Sequence, residues 1–232
     1  MKFFLNHLKW QFVILHKNNI ITISVAVTAV YSVILFLFRD ATYINKIVIV
    51  LVLNDPSVIG YFFIALALFT EIKQDVLKAI FVSPINVHQF LLAKTLSLSI
   101  IGTLCSLGLA MAIKGFDFHI LAYTIGSFSI CIMSACIAIS MMTYATDFLN
   151  FALQSVPIIL LFLGIAMANF LEMIDLGAWK YILPIQGSLD LISFAVSQQA
   201  INPWYAYGSV IVVLPITYWL GFHLFSQKII HQ

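Results

Sequence analysis

The sequence predicts an all-α, polytopic membrane protein with six transmembrane helices. Three observations carry this prediction. Of the 232 residues, 62% are hydrophobic and only 9% are charged, whereas a soluble domain has about 45–50% apolar and about 25% charged residues. Mean hydropathy is +1.07. The 11 basic and 9 acidic residues are spaced so that runs of membrane-crossing length lie between them. These runs are continuously apolar rather than alternating, which favours helices over a membrane barrel. So low a charge content excludes a soluble enzyme, a nucleic-acid binder and a disordered tail.

A helical crossing needs about 20 apolar residues at about 1.5 Å each. The intervals Lys17 to Arg39, Lys46 to Glu71, Lys94 to Lys114, Asp117 to Asp147, Asp147 to Glu172 and Asp190 to Lys228 each hold one crossing. None is long enough for two crossings joined by a polar loop. The expected spans are 19–38, 48–70, 88–113, 119–143, 149–170 and 203–226.

Residues 1–18 have no cleavable-signal pattern, because Lys2, Lys9, His16 and Lys17 interrupt the apolar run. At helical spacing Phe4, Leu5, Leu8, Phe12 and Leu15 share one stripe and the polar residues gather opposite, so an interfacial amphipathic helix is expected over 1–18. Six spans put both termini on one side. Lys2, Lys9, Lys17, Lys73, Lys78, Lys94 and Lys228 fall on that side, and Arg39, Lys46, Lys114 and Lys180 fall opposite. The positive-inside rule then puts both termini in the cytoplasm, with the chain in the cell inner (cytoplasmic) membrane. Cys105, Cys131 and Cys136 all lie in spans 3 and 4. That placement suits small packing residues, not a disulfide framework or a metal site.

The most informative stretch lies between spans 2 and 3. Glu71, Lys73, Asp75 and Lys78 are interleaved with Ile72, Val76, Leu77, Ile80 and Phe81 at helical spacing. This pattern predicts an amphipathic helix over 71–83. Pro84 ends it, and Asn86 with Gln89 resembles a capping box that starts span 3. A simple turn would not need such a helix, so it reads as a docking element for a soluble partner.

The run Glu71 to Lys94 resembles the coupling-helix region of ABC-2 type transporter permeases, and is most similar to the fluoroquinolone-export permease group. The strings Val82-Ser83-Pro84-Ile85 and Phe90-Leu91-Leu92-Ala93-Lys94 carry the likeness. Tyr181-Ile182-Leu183-Pro184-Ile185-Gln186-Gly187-Ser188-Leu189-Asp190 is similar to that family's short helices between spans 5 and 6. The resemblance implies one transmembrane domain over 1–232, the permease subunit of an ATP-driven exporter of amphipathic or hydrophobic substrates. A second protomer, identical or different, would pair with it. An ATP-binding subunit carrying ATP and Mg would dock on the coupling helix through Glu71, Lys73, Asp75, Lys78, Phe81 and Pro84. The chain contains no G-x-x-x-x-G-K-[ST] phosphate loop, so the ATPase activity is expected on a separate subunit, with no cofactor, metal or catalytic residue on this one.

Small residues recur four apart in span 3 (Gly102, Ser106, Ala110) and span 4 (Ser127, Cys131, Ala135). This spacing lets backbones approach closely in lipid, so spans 3 and 4 are expected to pack within one protomer. By analogy with the family, spans 1, 2 and 5 border the pathway, and Thr28, Tyr31, Ser32, Tyr61, Phe62, Gln154 and Asn169 are its candidate lining. The bland alternative is that the hydroxyls bond their own backbone one turn back. Pro157 and Pro215 are expected to kink spans 5 and 6. Asp147 is expected to cap span 5, and Asp55, just before Pro56, to cap a helix starting at Pro56. Between spans 5 and 6, residues 171–202 are too apolar for a free loop, so short re-entrant helices are expected there.

Two rivals come from other classes. An intramembrane serine protease would need a Gly-x-Ser-Gly nucleophile, which is absent. An ATP-independent secondary transporter or channel would need ionisable groups within the membrane, and Asp55 is its candidate.

Overall fold

The computed structural model describes residues 2–38, 43–74 and 86–230. These residues form helices with no strand, and six of the helices are long and apolar enough to cross a membrane. We label the helices α1 (Lys2–Lys17), α2 (Ile20–Leu37), α3 (Ile44–Lys73), α4 (Val87–Lys114), α5 (Ile120–Met142), α6 (Phe148–Phe170), α7 (Gln186–Ser197) and α8 (Pro203–Lys228). The six spans are α2 to α6 and α8, each starting and ending within a few residues of the bounds read from the charges; span 2, however, begins at Ile44 and not at Pro56, where a cap at Asp55 would have started it after a separate outer segment over 43–53. The chain is thus a multi-pass membrane protein. Apart from Asp55, its charges lie toward the span ends or between spans, because a charge inside hydrocarbon is costly.

Helix α5 is the axis of the bundle. Of its most apolar stretch 72% is buried by the chain itself, against 17% for α8. It packs on α3, α4, α7 and α8. Small residues allow the close approach: a Cβ added at Gly60 of α3 would overlap the Cys131 carbonyl oxygen of α5, and one added at Gly102 of α4 would lie 2.9 Å from Cys131 Sγ. Spans 3 and 4 therefore meet inside one protomer through the small residues that predicted it. The three cysteines are free and buried. Tyr123 ties the same two helices by donating its hydroxyl to the Ser106 carbonyl at 2.5 Å.

Most span hydroxyls do bond their own helix. Ser24, Ser32, Ser57, Thr95, Ser99, Thr103 and Ser155 each donate to the carbonyl four residues back. In hydrocarbon this satisfies a polar group without a neighbour.

Two helices contain a wide π turn in their interior, Ile59–Phe63 in α3 and Leu160–Gly164 in α6, and a third π stretch, Ser226–Ile230, lies at the end of α8. The second follows Pro157, whose missing N–H disturbs the helical ladder. The first follows Pro56, and here one expectation fails. Asp55 does not cap a helix beginning at Pro56, because α3 runs on from Ile44 with both residues inside it. Asp55 is 7% exposed, so span 2 carries an internal carboxyl group. The cap at Asp147 is formed, its side chain accepting from Asn150 N at 2.8 Å. Asn86 does stand at the cap of α4, but its side chain makes no capping bond. Asn202 caps α8, with Pro203 in the first turn.

Helix α1 lays Gln11 and Leu15, both 1% exposed, against the bundle. It packs on α4 and α2. Between α6 and α8 lie a short 3-10 turn, Gly177–Ile182, and helix α7. α7 is buried along much of its length. Its Ser188, Leu191 and Ile192 crowd Gly126 of α5, and its Ala195 carbonyl accepts from His119 N at 3.2 Å.

Candidate functional site

The expected docking element is only partly described. Asp75, Lys78, Phe81 and Pro84 lie outside the described residues, as does most of the expected helix over 71–83. Its first residues belong to α3, which continues to Lys73 and ends at Gln74. No separate helix begins at Glu71. Glu71 is 7% exposed and faces inward, with Oε1 2.5 Å from Lys94 Nζ of α4. The Lys94 ammonium also sits 5.1 Å from the Phe90 ring centre. His7 of α1 packs on the other side of that cluster, its ring 5.9 Å from Phe90. Burial and the neighbouring Lys94 charge hold the His7 imidazole below its ordinary value of 6.5. Lys73, by contrast, lies on the surface. Glu71 thus locks α3 to α4 at the root of the segment expected to dock.

The candidate pathway residues fall into separate places. Thr28 of α2 donates to Asp55 Oδ2 at 3.3 Å, tying α2 to α3. Ser32 bonds back to the Thr28 carbonyl at 2.8 Å, and Tyr31 is half-buried against the core. Tyr61 and Phe62 meet α6: Tyr61 stacks on Phe151 at 5.3 Å, and Phe62 meets Phe151 edge-on at 6.3 Å. Both also line a cavity of about 50 Å³ with Phe162 and Leu163, so the two π turns face each other across it. Gln154 and Asn169 stand near opposite ends of α6. Gln154 is exposed and donates to Asn150 Oδ1 at 2.9 Å. Asn169 Oδ1 accepts from Leu176 N at 3.1 Å and shapes the turn that follows α6.

A polar cavity of about 270 Å³ lies beside α7, at the end of the bundle where α3 starts and α6 ends. α7 supplies one wall with Gln186, Asp190 and Ser193, spaced as one helical face. Gln186 Nε2 donates to Asp190 Oδ1 at 2.7 Å, and Ser193 donates to Gln199 Oε1 at 2.8 Å. Lys46 of α3 and Glu172 form a 2.9 Å ion pair on the opposite side, with Asn169 beside it. Burial raises the Asp190 carboxyl above its ordinary value of 3.8, against the opposing effects of Gln186 and Lys180. Sequence reasoning found Asn169 but missed the rest. The available signal was the i, i+4, i+7 polar stripe within an otherwise apolar helix.

The fold defines a six-span helical membrane protein. Among the described residues, no group of three His, Cys, Asp or Glu is arranged to hold a metal ion. The chain is 24% identical over 155 residues to the fluoroquinolones export permease proteins of Mycobacterium tuberculosis strains CDC 1551/Oshkosh and ATCC 25618/H37Rv. The match covers 65% of this chain and 63% of each relative, so it spans less than two thirds of the relatives' length. No protein-family model matches the chain. The likeness is to export permeases, the same group that the run Glu71 to Lys94 resembles.

Proposed function

We propose that this chain is the transmembrane subunit of an ATP-driven exporter, moving an amphipathic or hydrophobic substrate outward across the cell inner membrane. The observation that carries the reading is the match, over most of a six-span chain, to proteins named as export permeases. A second protomer completes the pathway, with Tyr31, Ser32, Phe62, Gln154 and Asn169 toward it, while Thr28 and Tyr61, buried inside this chain, back that lining. A separate ATPase subunit, holding ATP and Mg, docks on the segment after α3. Lys73, Asp75, Lys78, Phe81 and Pro84 form the contact, and Glu71 transmits its movement into α4 through Lys94. The termini and α1 lie on the cytoplasmic side, α1 in the headgroup plane, and α7 dips back from the outer face.

Affinity purification of the tagged chain from its own membranes tests this reading. An ATP-binding protein is expected to co-purify, and the double reversal Lys73→Glu/Lys78→Glu to abolish co-purification and transport while membrane insertion persists. An unchanged complex and unchanged transport in that variant overturn the docking assignment. One observation favours a second reading, an ATP-independent transporter: Asp55 is a carboxyl group buried inside a span, as ion-coupled transport requires. Transport that survives removal of the ATPase and is lost in Asp55→Asn would select it.

A further inference from the structure

The cavity beside α7 is built like a binding site. Its inner wall is α7, where Gln186 and Ser193 are each 4% exposed. Gln186 Oε1 is buried without a hydrogen-bond partner, although Gln186 lines the cavity. The orientation of this amide is fixed, because its Nε2 donates to Asp190. An orphaned buried acceptor is destabilising, so a donor brought to it from the cavity relieves a standing penalty. Asp190 beside it makes no ion pair among the described residues, since the cavity's other carboxylate, Glu172, takes Lys46. The deep wall therefore offers acceptors and one carboxyl group outside any ion pair, with the Lys180 charge near enough to act on it, while Phe170 and Tyr181 add aromatic surface.

Acceptors, a carboxylate and aromatic rings together suit a cation that carries N–H donors on an apolar body. A volume of about 270 Å³ falls just under the roughly 300–1,000 Å³ of drug-sized sites, so the occupant is a small molecule or one end of a larger one. A bare metal ion fits poorly, because Asp190 and Glu172 are the only carboxylates among the lining residues and each already has a hydrogen-bonded partner.

We infer that the cavity lined by Gln186 and Asp190 binds a small organic ammonium, whose N–H groups donate to Gln186 Oε1 and the Asp190 carboxylate. Binding itself does not depend on the exporter reading. The further role, as the station the exported molecule occupies before release, rests on that reading.

Isothermal titration calorimetry on the full chain in lipid nanodiscs tests binding, with phenethylammonium as probe and phenylacetate and phenethyl alcohol as shape-matched controls. Phenethylammonium is expected to bind, and both controls to bind at least tenfold more weakly. Asp190→Asn and Gln186→Leu are each expected to weaken the ammonium tenfold or more with the thermal midpoint retained. If Gln186→Leu does not fold, Asp190→Asn and the pH profile decide. Lys180, Lys46, Glu172, Tyr181 and Tyr205 surround Asp190 and set its charge. Because the Asp190 carboxyl titrates above its ordinary value, affinity should rise with pH as the carboxylate forms, and this rise should vanish in Asp190→Asn. No ammonium binding, equal binding of phenylacetate, displacement by millimolar Mg²⁺, or unchanged affinity in Asp190→Asn overturns the assignment. ATPase co-purification is independent of all these readouts, so failure of the binding site and failure of the exporter reading are distinguishable.

Discussion

Lys94 Nζ stands 2.5 Å from Glu71 Oε1, with side-chain exposures of 1% and 10%. This buried pair joins the last turn of α3 to the second turn of α4. Removing one partner strands the other charge in an apolar setting, which typically costs about 3–5 kcal/mol. Glu71→Gln and Lys94→Met should each lower stability by that order in a detergent melting experiment. The swap Glu71→Lys/Lys94→Glu should recover much of the loss. Charge reversal at Glu71 alone also places two ammonium groups together, so it cannot serve as a clean test of docking.

The Thr28–Asp55 bond makes a second prediction. Thr28→Val removes the hydroxyl donor to a buried carboxyl group, at a cost of about 1–3 kcal/mol. Thr28→Ser should retain most of the stability, and Thr28→Val/Asp55→Leu should regain it. Equal melting midpoints for Thr28→Val and wild type would show that the bond contributes nothing.

Gly60 has no room for a side chain because the Cys131 carbonyl oxygen occupies the Cβ position. Gly60→Ala must push α3 away from α5 and should markedly reduce folded yield. Gly108→Ala has nothing within 4 Å and should be neutral or stabilising by up to about 1 kcal/mol, since alanine favours a helix. Size-exclusion profiles of the two variants give the comparison.

At the start of α6, Asp147→Ala should cost about 1 kcal/mol by freeing Asn150 N–H. Asp147→Asn should lose much less, since the amide oxygen still accepts. Thermal midpoints of the two variants check this.

His7 gives the packing of α1 a pH dependence. Its folded value is lowered from 6.5, so the undocked helix binds protons more readily than the docked one. Docking is then unimpaired above pH 6.5 and weakens as pH falls below it through the folded value. Amide exchange in α1 should accelerate on acidification, and His7→Gln should flatten that response.

The spans were legible because charges end them, so Lys17, Lys46, Lys114, Asp147 and Glu172 stand close to where helices stop or start. The small-residue contact of spans 3 and 4 was legible because spacing alone carries it. Asp55 was misread because an Asp-Pro step is a good helix start in water, and nothing local reveals that α3 continues through it. Lys94 was visible as a position in a motif, but its partnership with Glu71 depends on how α3 is rotated when it reaches its last turn. The cavity needed residues from five segments, and the Lys46–Glu172 pair joins positions 126 residues apart. The sequence shows the α7 stripe but not what lies opposite it.

The wide turn at Ile59–Phe63 has a consequence for that rotation. A π turn closes over one more residue than an α turn, and each residue advances an α-helix by about 100°. The wide turn absorbs one residue, so winding 59–63 as regular α turns with every residue kept would swing everything beyond it by about that angle. Glu71 would then point away from Lys94, and the segment that follows would leave the bundle on a different side. One surplus residue acts as an indexing step, fixing the direction in which the chain emerges from the bundle ten residues later.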